Sequence, residues 1–180
     1  MRPIQTLTYR KLAWSWARDL VVSVALAVVV ILFIYQPVEV EGTSMLPSLA
    51  DQERIFIDKL TLRLGLGEIK RGDLVIFRLP GEPDRSYIKR VVGLPGERIK
   101  IVEGYVYVNG EKLEEDYVIS EYRNRESTPE VTVGANQYFV LGDHRSSSSD
   151  SRTWGPIGRE LIYGKAVFVY WPLERIGPVR

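Results

Sequence analysis

The chain has 180 residues, 45% of them hydrophobic and 26% charged, with a formal net charge of +1. That length suits one ordinary domain with a short appendage, and acids interleave with the arginines and lysines, unlike the clustered basic excess of a nucleic-acid binder. There is no cysteine and one histidine, His144, which excludes thiol proteases, disulfide frameworks and Cys-based zinc sites; with no glycine-rich phosphate loop either, neither a metal nor a cofactor is expected.

Residues 1–19 carry Arg2, Arg10, Lys11 and Arg18 against Asp19 alone. The run Leu20 to Tyr35, LVVSVALAVVVILFIY, is apolar on every face apart from Ser23 and the tyrosine hydroxyl. As a helix it rises about 24 Å, and with Trp14, Trp16 and Tyr35 as interface anchors it is long enough to cross a bilayer. A cleaved signal peptide needs small residues at its exit, and IYQPVEVEG has no A-x-A pattern. A half-exposed core helix needs a polar stripe. The reading is therefore a single-pass transmembrane helix over 20–36. By the positive-inside rule residues 1–19 stay cytoplasmic, and 37–180, which open with Glu39 and Glu41, form an extracytoplasmic domain.

From Gln36 onward short runs rich in Val, Ile, Tyr and Phe alternate with turn signals. The predicted strands are 54–59, 73–79, 86–92, 98–102, 137–141 and 165–171. The stretch 105–113, YVYVNGEKL, reads as a hairpin whose Asn109-Gly110 suits a type I′ turn. Leu79-Pro80-Gly81 and Leu94-Pro95-Gly96 are Pro-Gly turns. Residues 113–130 are polar and read as an excursion between hairpins, and Ser146–Ser149 as a loop. No strong amphipathic helix follows residue 36. The fold class is mainly β: a compact all-β domain behind one N-terminal transmembrane helix.

For hydrolytic chemistry, a serine needs a base, either His144 or a lysine whose pKa is depressed. Asp143 and His144 are adjacent and point apart on an extended chain, so they do not pair with each other. Lys89, in YIKRVV, shares a strand face with Tyr87 and Val91 while Arg90 takes the other face; burial there favours a neutral amine. Taken alone, these residues leave open whether Lys89 is a base or lies on a solvated edge, and whether His144 is a base or a loop residue.

Four segments follow the apolar run in order: Gly42-Thr43-Ser44-Met45-Leu46-Pro47-Ser48-Leu49, Arg71 to Phe77 (RGDLVIF), Tyr87 to Glu97 (YIKRVVGLPGE) and Gly142 to Gly155 (GDHRSSSSDSRTWG). Together they resemble the motifs of bacterial type I signal peptidases, the Ser/Lys-dyad peptidases, and of their organellar relatives. The resemblance implies a membrane-anchored serine endopeptidase that removes signal peptides from exported preproteins after an Ala-x-Ala-like site. It implies Ser44 as nucleophile, its N–H in the oxyanion hole, and Lys89 as general base. Ser148 is expected to hydrogen-bond and orient the lysine, Asp150 and Arg152 to form a supporting ion pair, and Val40, Met45, Leu49, Tyr87 and Ile88 to line shallow substrate pockets. The implied partners are signal peptides, the lipid bilayer and nearby export machinery, with no nucleic acid, in a bacterial plasma membrane or a thylakoid one.

Some positions depart from the family pattern. Glu41 stands where many members carry proline, and Gly42 where some carry a serine that completes the oxyanion hole. His144 and Ser146 replace an asparagine and an aspartate, so Ser148 is assigned by its spacing from Asp150 and Arg152, with Ser147 and Ser149 as its alternatives. Three rival functions are another Ser/Lys peptidase, such as a pilin-processing one, an anchored β binding module without catalysis, and a Ser/His/Asp hydrolase using His144.

Overall fold

A computed structural model of the protein describes residues 4–179; Arg2 of the expected cationic flank, and Arg180, lie outside the described residues. Helix α1 (Ile4–Ile34) begins well before the apolar run, so residues 4–19 are helical as well. Its 31 residues rise about 46 Å. The stretch Lys11–Val29 is long and apolar enough to cross a membrane, and none of it is buried against the rest of the chain. The helix ends two residues before the expected span does. Pro37 has no N–H to continue it and disfavours helical backbone at Gln36, and strand β1 (Tyr35–Glu39) starts there.

The domain that follows contains β2 (Arg54–Asp58), α2 (Leu60–Arg63), β3 (Leu74–Leu79), β4 (Glu82–Gly93), β5 (Arg98–Val102), β6 (Tyr105–Val108), β7 (Glu111–Lys112), β8 (Thr128–Thr132), β9 (Gln137–Leu141), α3 (Ser151–Trp154), β10 (Ile157–Gly158), β11 (Ile162–Trp171) and β12 (Gly177–Pro178). Among the described residues these strands make two antiparallel sheets. The larger runs β1-β2-β11-β3-β4-β9-β10, with β12 paired to β11, and the smaller runs β7-β6-β5-β8. Each predicted strand run falls within one of these strands, except that Lys59 lies one residue past the end of β2 and Asp73 one residue before the start of β3.

Burial follows the sequence pattern. In β5 the alternation buries Ile99 and Ile101 and exposes Arg98, Lys100 and Val102, as a one-faced strand requires. In β3 the run Leu74 to Phe77 is buried throughout, because apolar side chains cover both faces of the larger sheet. On one face Ile76 and Leu74 pack with Val40, Met45, Leu49 and Ile57. On the other Val75 and Phe77 pack with Val91, Val140 and Ile162. A third cluster joins the sheets through Val92, Ile99, Val106 and Phe139. Asn109 and Gly110 both have positive φ, 53° and 92°, as the type I′ turn demands. The polar excursion at 113–130 yields β8 at its end, and its earlier part folds back over the loop after β9.

The register of the larger sheet sets the candidate site. Strand β4 pairs with β3 through Val75↔Lys89 and Leu74↔Arg90, and with β9 through Arg90↔Leu141. Lys89 is therefore the residue at which β9 runs out and its loop begins.

Phe77 is fully buried, stacks on Tyr87 and meets Trp154 edge-on, at centroid distances of 5.8 and 5.9 Å. Phe77→Ala is expected to destabilise the domain by about 3–5 kcal/mol, read as a lower denaturation midpoint at unchanged slope.

Candidate active site

Two backbone bonds fasten the base of the loop between β1 and β2: Val40 N–H donates to Glu53 O and Gln52 N–H to Val40 O, each at 2.8 Å. Above them Gly42 sits at φ +90°, a conformation that a side chain would strain, and its N–H donates to Asp51 Oδ1 at 2.6 Å. Met45 and Leu49, four residues apart, close a single turn (Leu49 N–H to Met45 O, 2.9 Å) and bury both side chains in the core. Ser44 is thereby lifted, half-buried, just ahead of two apolar anchors.

Lys89 is 3% exposed. Its Nζ lies 2.7 Å from Ser44 Oγ and 3.0 Å from the carbonyl oxygen of Ile88. Burial lowers its pKa from 10.5 to about 8; the carboxylates of Asp150 and Asp143 pull it back up, while Arg85 and Arg152 push it down. A lysine so shifted is a neutral amine in a substantial fraction near pH 8 and can accept a hydroxyl proton.

Arg90, the next residue on β4, holds the segments together. Its Nε and Nη2 meet Asp143 at 2.8 and 2.7 Å, both side chains being almost wholly buried. It also donates to Ser48 Oγ and to Gly72 O, at 2.9 Å each, and lies 4.1 Å from the Tyr117 ring centroid. One guanidinium thus joins the Ser44 turn, β4, the loop after β9 and the 113–130 excursion. A second network lies beneath that loop. Buried Glu115 accepts from Arg145, and from Arg123 at 3.2 Å. Asp150 takes Arg152 through two bonds of 2.8 Å and the Gly142 N–H at 3.0 Å, and Arg152 continues to Glu126 at 2.8 Å.

Gly142 follows Leu141 at the end of β9, which places it across from Lys89. A Cβ there would lie 2.1 Å from Ser148 Oγ and 2.6 Å from the Ser44 carbonyl, so only glycine lets the two loops meet. The sequence-predicted Ser44, Lys89, Ser148, Asp150 and Arg152 thus converge, and Asp150 and Arg152 pair. The expected bond from Ser148 to the lysine does not form here: Ser148 Oγ is buried without a hydrogen-bond partner among the described residues, because it lies over Gly142 beside the Ser44 carbonyl. His144 donates from its backbone N–H to Ser44 O and from Nδ1 to Thr43 O, at 3.1 and 3.2 Å, with its ring on Tyr122. Among the described residues no carboxylate pairs with it.

A cleft of about 500 Å³ opens beside Ser44, walled by Val38, Val40, Ile55, Tyr87 and Ile88. Of the expected pocket residues, Val40, Tyr87 and Ile88 face it. Met45 and Leu49 lie buried in the core instead, because they anchor the turn. Sequence reasoning missed Arg90, Asp143, Glu115 and Tyr117 as parts of the site. Among the described residues no cluster of metal-ligating side chains occurs.

The family model for signal peptidase, peptidase S26, matches residues 13–171. Signal peptidase I of Bacillus licheniformis is 37% identical over 91% of this chain and 91% of its own length. Signal peptidase I S of Bacillus subtilis (strain 168) is 34% identical over 96% of each. A solved signal peptidase I from Enterococcus faecalis V583 is 33% identical, covering 54% of this chain and 96% of that one at a TM-score of 0.47.

The depressed lysine carries a signed consequence for stability. Below about pH 8 Lys89 is charged in both folded and unfolded chains, and burying that charge destabilises the fold; between about 8 and 10.5 the folded lysine loses its proton first and the penalty fades. Lys89→Met, similar in volume and apolar, is expected to raise stability at pH 7 by about 1–3 kcal/mol, with the gain vanishing towards pH 10.5 in denaturation series taken across pH.

Proposed function

The chain belongs to the signal peptidase I family of peptidase S26, serine endopeptidases that remove signal peptides, and from that premise we propose a membrane-anchored enzyme in which Ser44 attacks the scissile carbonyl and Lys89 is the general base. The observation that carries the proposal is the 2.7 Å contact between Ser44 Oγ and an almost fully buried Lys89 Nζ. The neutral amine takes the hydroxyl proton as Oγ bonds to the carbonyl carbon. The protonated amine then delivers a proton to the departing amine nitrogen, leaving an acyl-enzyme that water hydrolyses in a second cycle of the same base.

The oxyanion needs donors aimed where charge develops. Among the described residues nothing accepts from the Ser44 N–H. The Thr43 carbonyl is held by Nδ1 of His144, and the planar trans peptide sends the Ser44 N–H the opposite way. With Gly42 supplying no hydroxyl and its N–H bonded to Asp51, Ser44 N–H is the donor this reading uses. Ser148 enters as a second group near the dyad, whose hydroxyl reaches Lys89 after a rotamer change on substrate binding. Asp150 and Arg152 support its loop.

The cleft between 38–41 and 84–88 suits an extended peptide with small side chains next to the scissile bond, with Val40, Tyr87 and Ile88 closing on them; Met45 and Leu49 act from behind by fixing the turn. Helix α1 is read as the anchor, with residues 1–19 cytoplasmic and the 37–180 domain outside a bacterial plasma membrane, or on the equivalent side of a thylakoid, next to the export machinery. Because α1 joins β1 directly, the cleft stays near the bilayer, where signal peptides emerge, and the local substrate concentration rises.

The pH–rate profile tests the base. For a preprotein with alanines at the cleavage site, kcat/KM should rise about tenfold per pH unit below 8 and level off above it, as the neutral fraction of Lys89 does. A profile that instead levels off near pH 6.5, where an ordinary histidine titrates, would remove Lys89 from the role.

A further inference from the structure

Lys59, Arg63, Arg78 and Arg159 line one open cleft of about 550 Å³ together with Tyr163 and a single carboxylate, Glu160. This cleft is separate from the one beside Ser44. Elsewhere in the domain several cations meet acids: Arg54 meets Glu39, Arg71 meets Glu97, Arg98 meets Glu130 and Lys165 meets Asp73. Among the described residues none of the four cleft cations forms an ion pair. Arg159 is committed to the carbonyls of Leu62 and Ile162, at 3.1 and 3.2 Å. Lys59 Nζ and the Arg78 guanidinium share one aromatic ring, 4.8 and 5.1 Å from the centroid of Tyr163. Partial burial, and then repulsion from Arg78, lower the pKa of Lys59. An anion in this cleft would relieve the repulsion and find three cationic side chains, Lys59, Arg63 and Arg78, facing a single acid.

The position of the cleft indicates which anion. Lys59 directly follows Asp58, which pairs with Tyr35, the first residue after α1. Helix α2, which carries Leu62 and Arg63, touches α1. Just beyond it Leu64 and Leu66 are 60% and 76% exposed on either side of Gly65. An unpaired cationic cleft and an exposed apolar loop therefore sit together where the long apolar helix joins the domain. At the edge of a bilayer, anionic headgroups lie beside acyl chains in the same arrangement.

We propose that this cleft binds the anionic headgroup of a phospholipid, with Leu64 and Leu66 entering the adjoining leaflet. The inference rests on the reading of α1 as a membrane span. Its consequence is a second attachment point: one helix exit leaves the domain free to swivel, whereas a helix exit and a bound headgroup fix its orientation over the membrane.

The chain has no cysteine, so Leu66→Cys in the full-length protein takes a single environment-sensitive fluorophore. The labelled chain is reconstituted into vesicles of phosphatidylcholine alone or of equimolar phosphatidylcholine and phosphatidylglycerol. Emission at residue 66 should shift to the blue, and be quenched by spin-labelled acyl chains, in the anionic vesicles only. Salt at about 0.5 M should reverse the shift. Each of Lys59→Ala, Arg63→Ala and Arg78→Ala should weaken the docked state roughly fivefold. A probe at Glu111→Cys, in the smaller sheet, should not respond. Equal emission in the two vesicle types overturns the proposal, as does a shift that survives loss of the cations. Inorganic phosphate added to the anionic vesicles should leave the shift intact; if it abolishes the shift, the cleft is a soluble-anion site and the lipid proposal falls. Flotation separates the two readings: a chain that does not float with vesicles overturns the membrane span and this proposal with it, whereas one that floats with an unresponsive probe overturns this proposal alone.

Discussion

Arg90 and Asp143 meet in a two-pronged ion pair that water does not reach. The pair joins residues 53 positions apart, one beside Lys89 on β4 and the other beside His144 in the loop after β9. Through its remaining donors Arg90 also holds Ser48, four residues after Ser44. The separation of serine and lysine therefore follows from a charge cluster behind them. Loss of either partner would strand the other as a buried, uncompensated ion, a strongly destabilising change. The arrangement is stiff where the proposed Ser44–Lys89 pair needs its distance kept within a fraction of an ångström.

That stiffness permits an unfavourable feature at the front of the site. A lysine buried to this degree favours its neutral form, which the proposed base needs and stability does not. Asp150 and Asp143 moderate the shift, which leaves the amine titrating at about 8. Asp150 is also tied to Arg152 and to the Gly142 N–H, so a carboxylate that tunes the lysine also shapes the loop. His144, the residue a sequence reader would first suspect as a base, is turned to the Thr43 carbonyl. There it helps set the direction of the Ser44 peptide.

The fold was largely legible in the sequence because its signals are local. Alternation in RIKIV, the Asn109-Gly110 turn and the continuous apolar run of β3 each state their structure within a few residues. Strand β8 was hidden because TPEVT offers a proline and a glutamate where a strand signal is sought. The early start of α1 was hidden because polar helical residues leave no trace in hydropathy. At the site, Ser44 and Lys89 were legible through the four ordered motifs. The clamp of Arg90, Asp143, Glu115 and Tyr117 was not, since an ion pair between distant segments has no periodicity to reveal it. The burial of Met45 and Leu49 was likewise hidden: whether an apolar side chain beside a serine lines a cleft or anchors a turn depends on what packs below it.

In the mechanism proposed for this chain, Lys89 acts on Ser44 and His144 is not the base. The most direct measurement is cleavage of a labelled preprotein in lipid by the parent chain and by Ser44→Ala, Lys89→Ala and His144→Ala, compared at equal folded concentration. With Lys89 as the base, the first two variants lose processing to background while His144→Ala still cuts. Cleavage by Lys89→Ala, with none by His144→Ala, would contradict it.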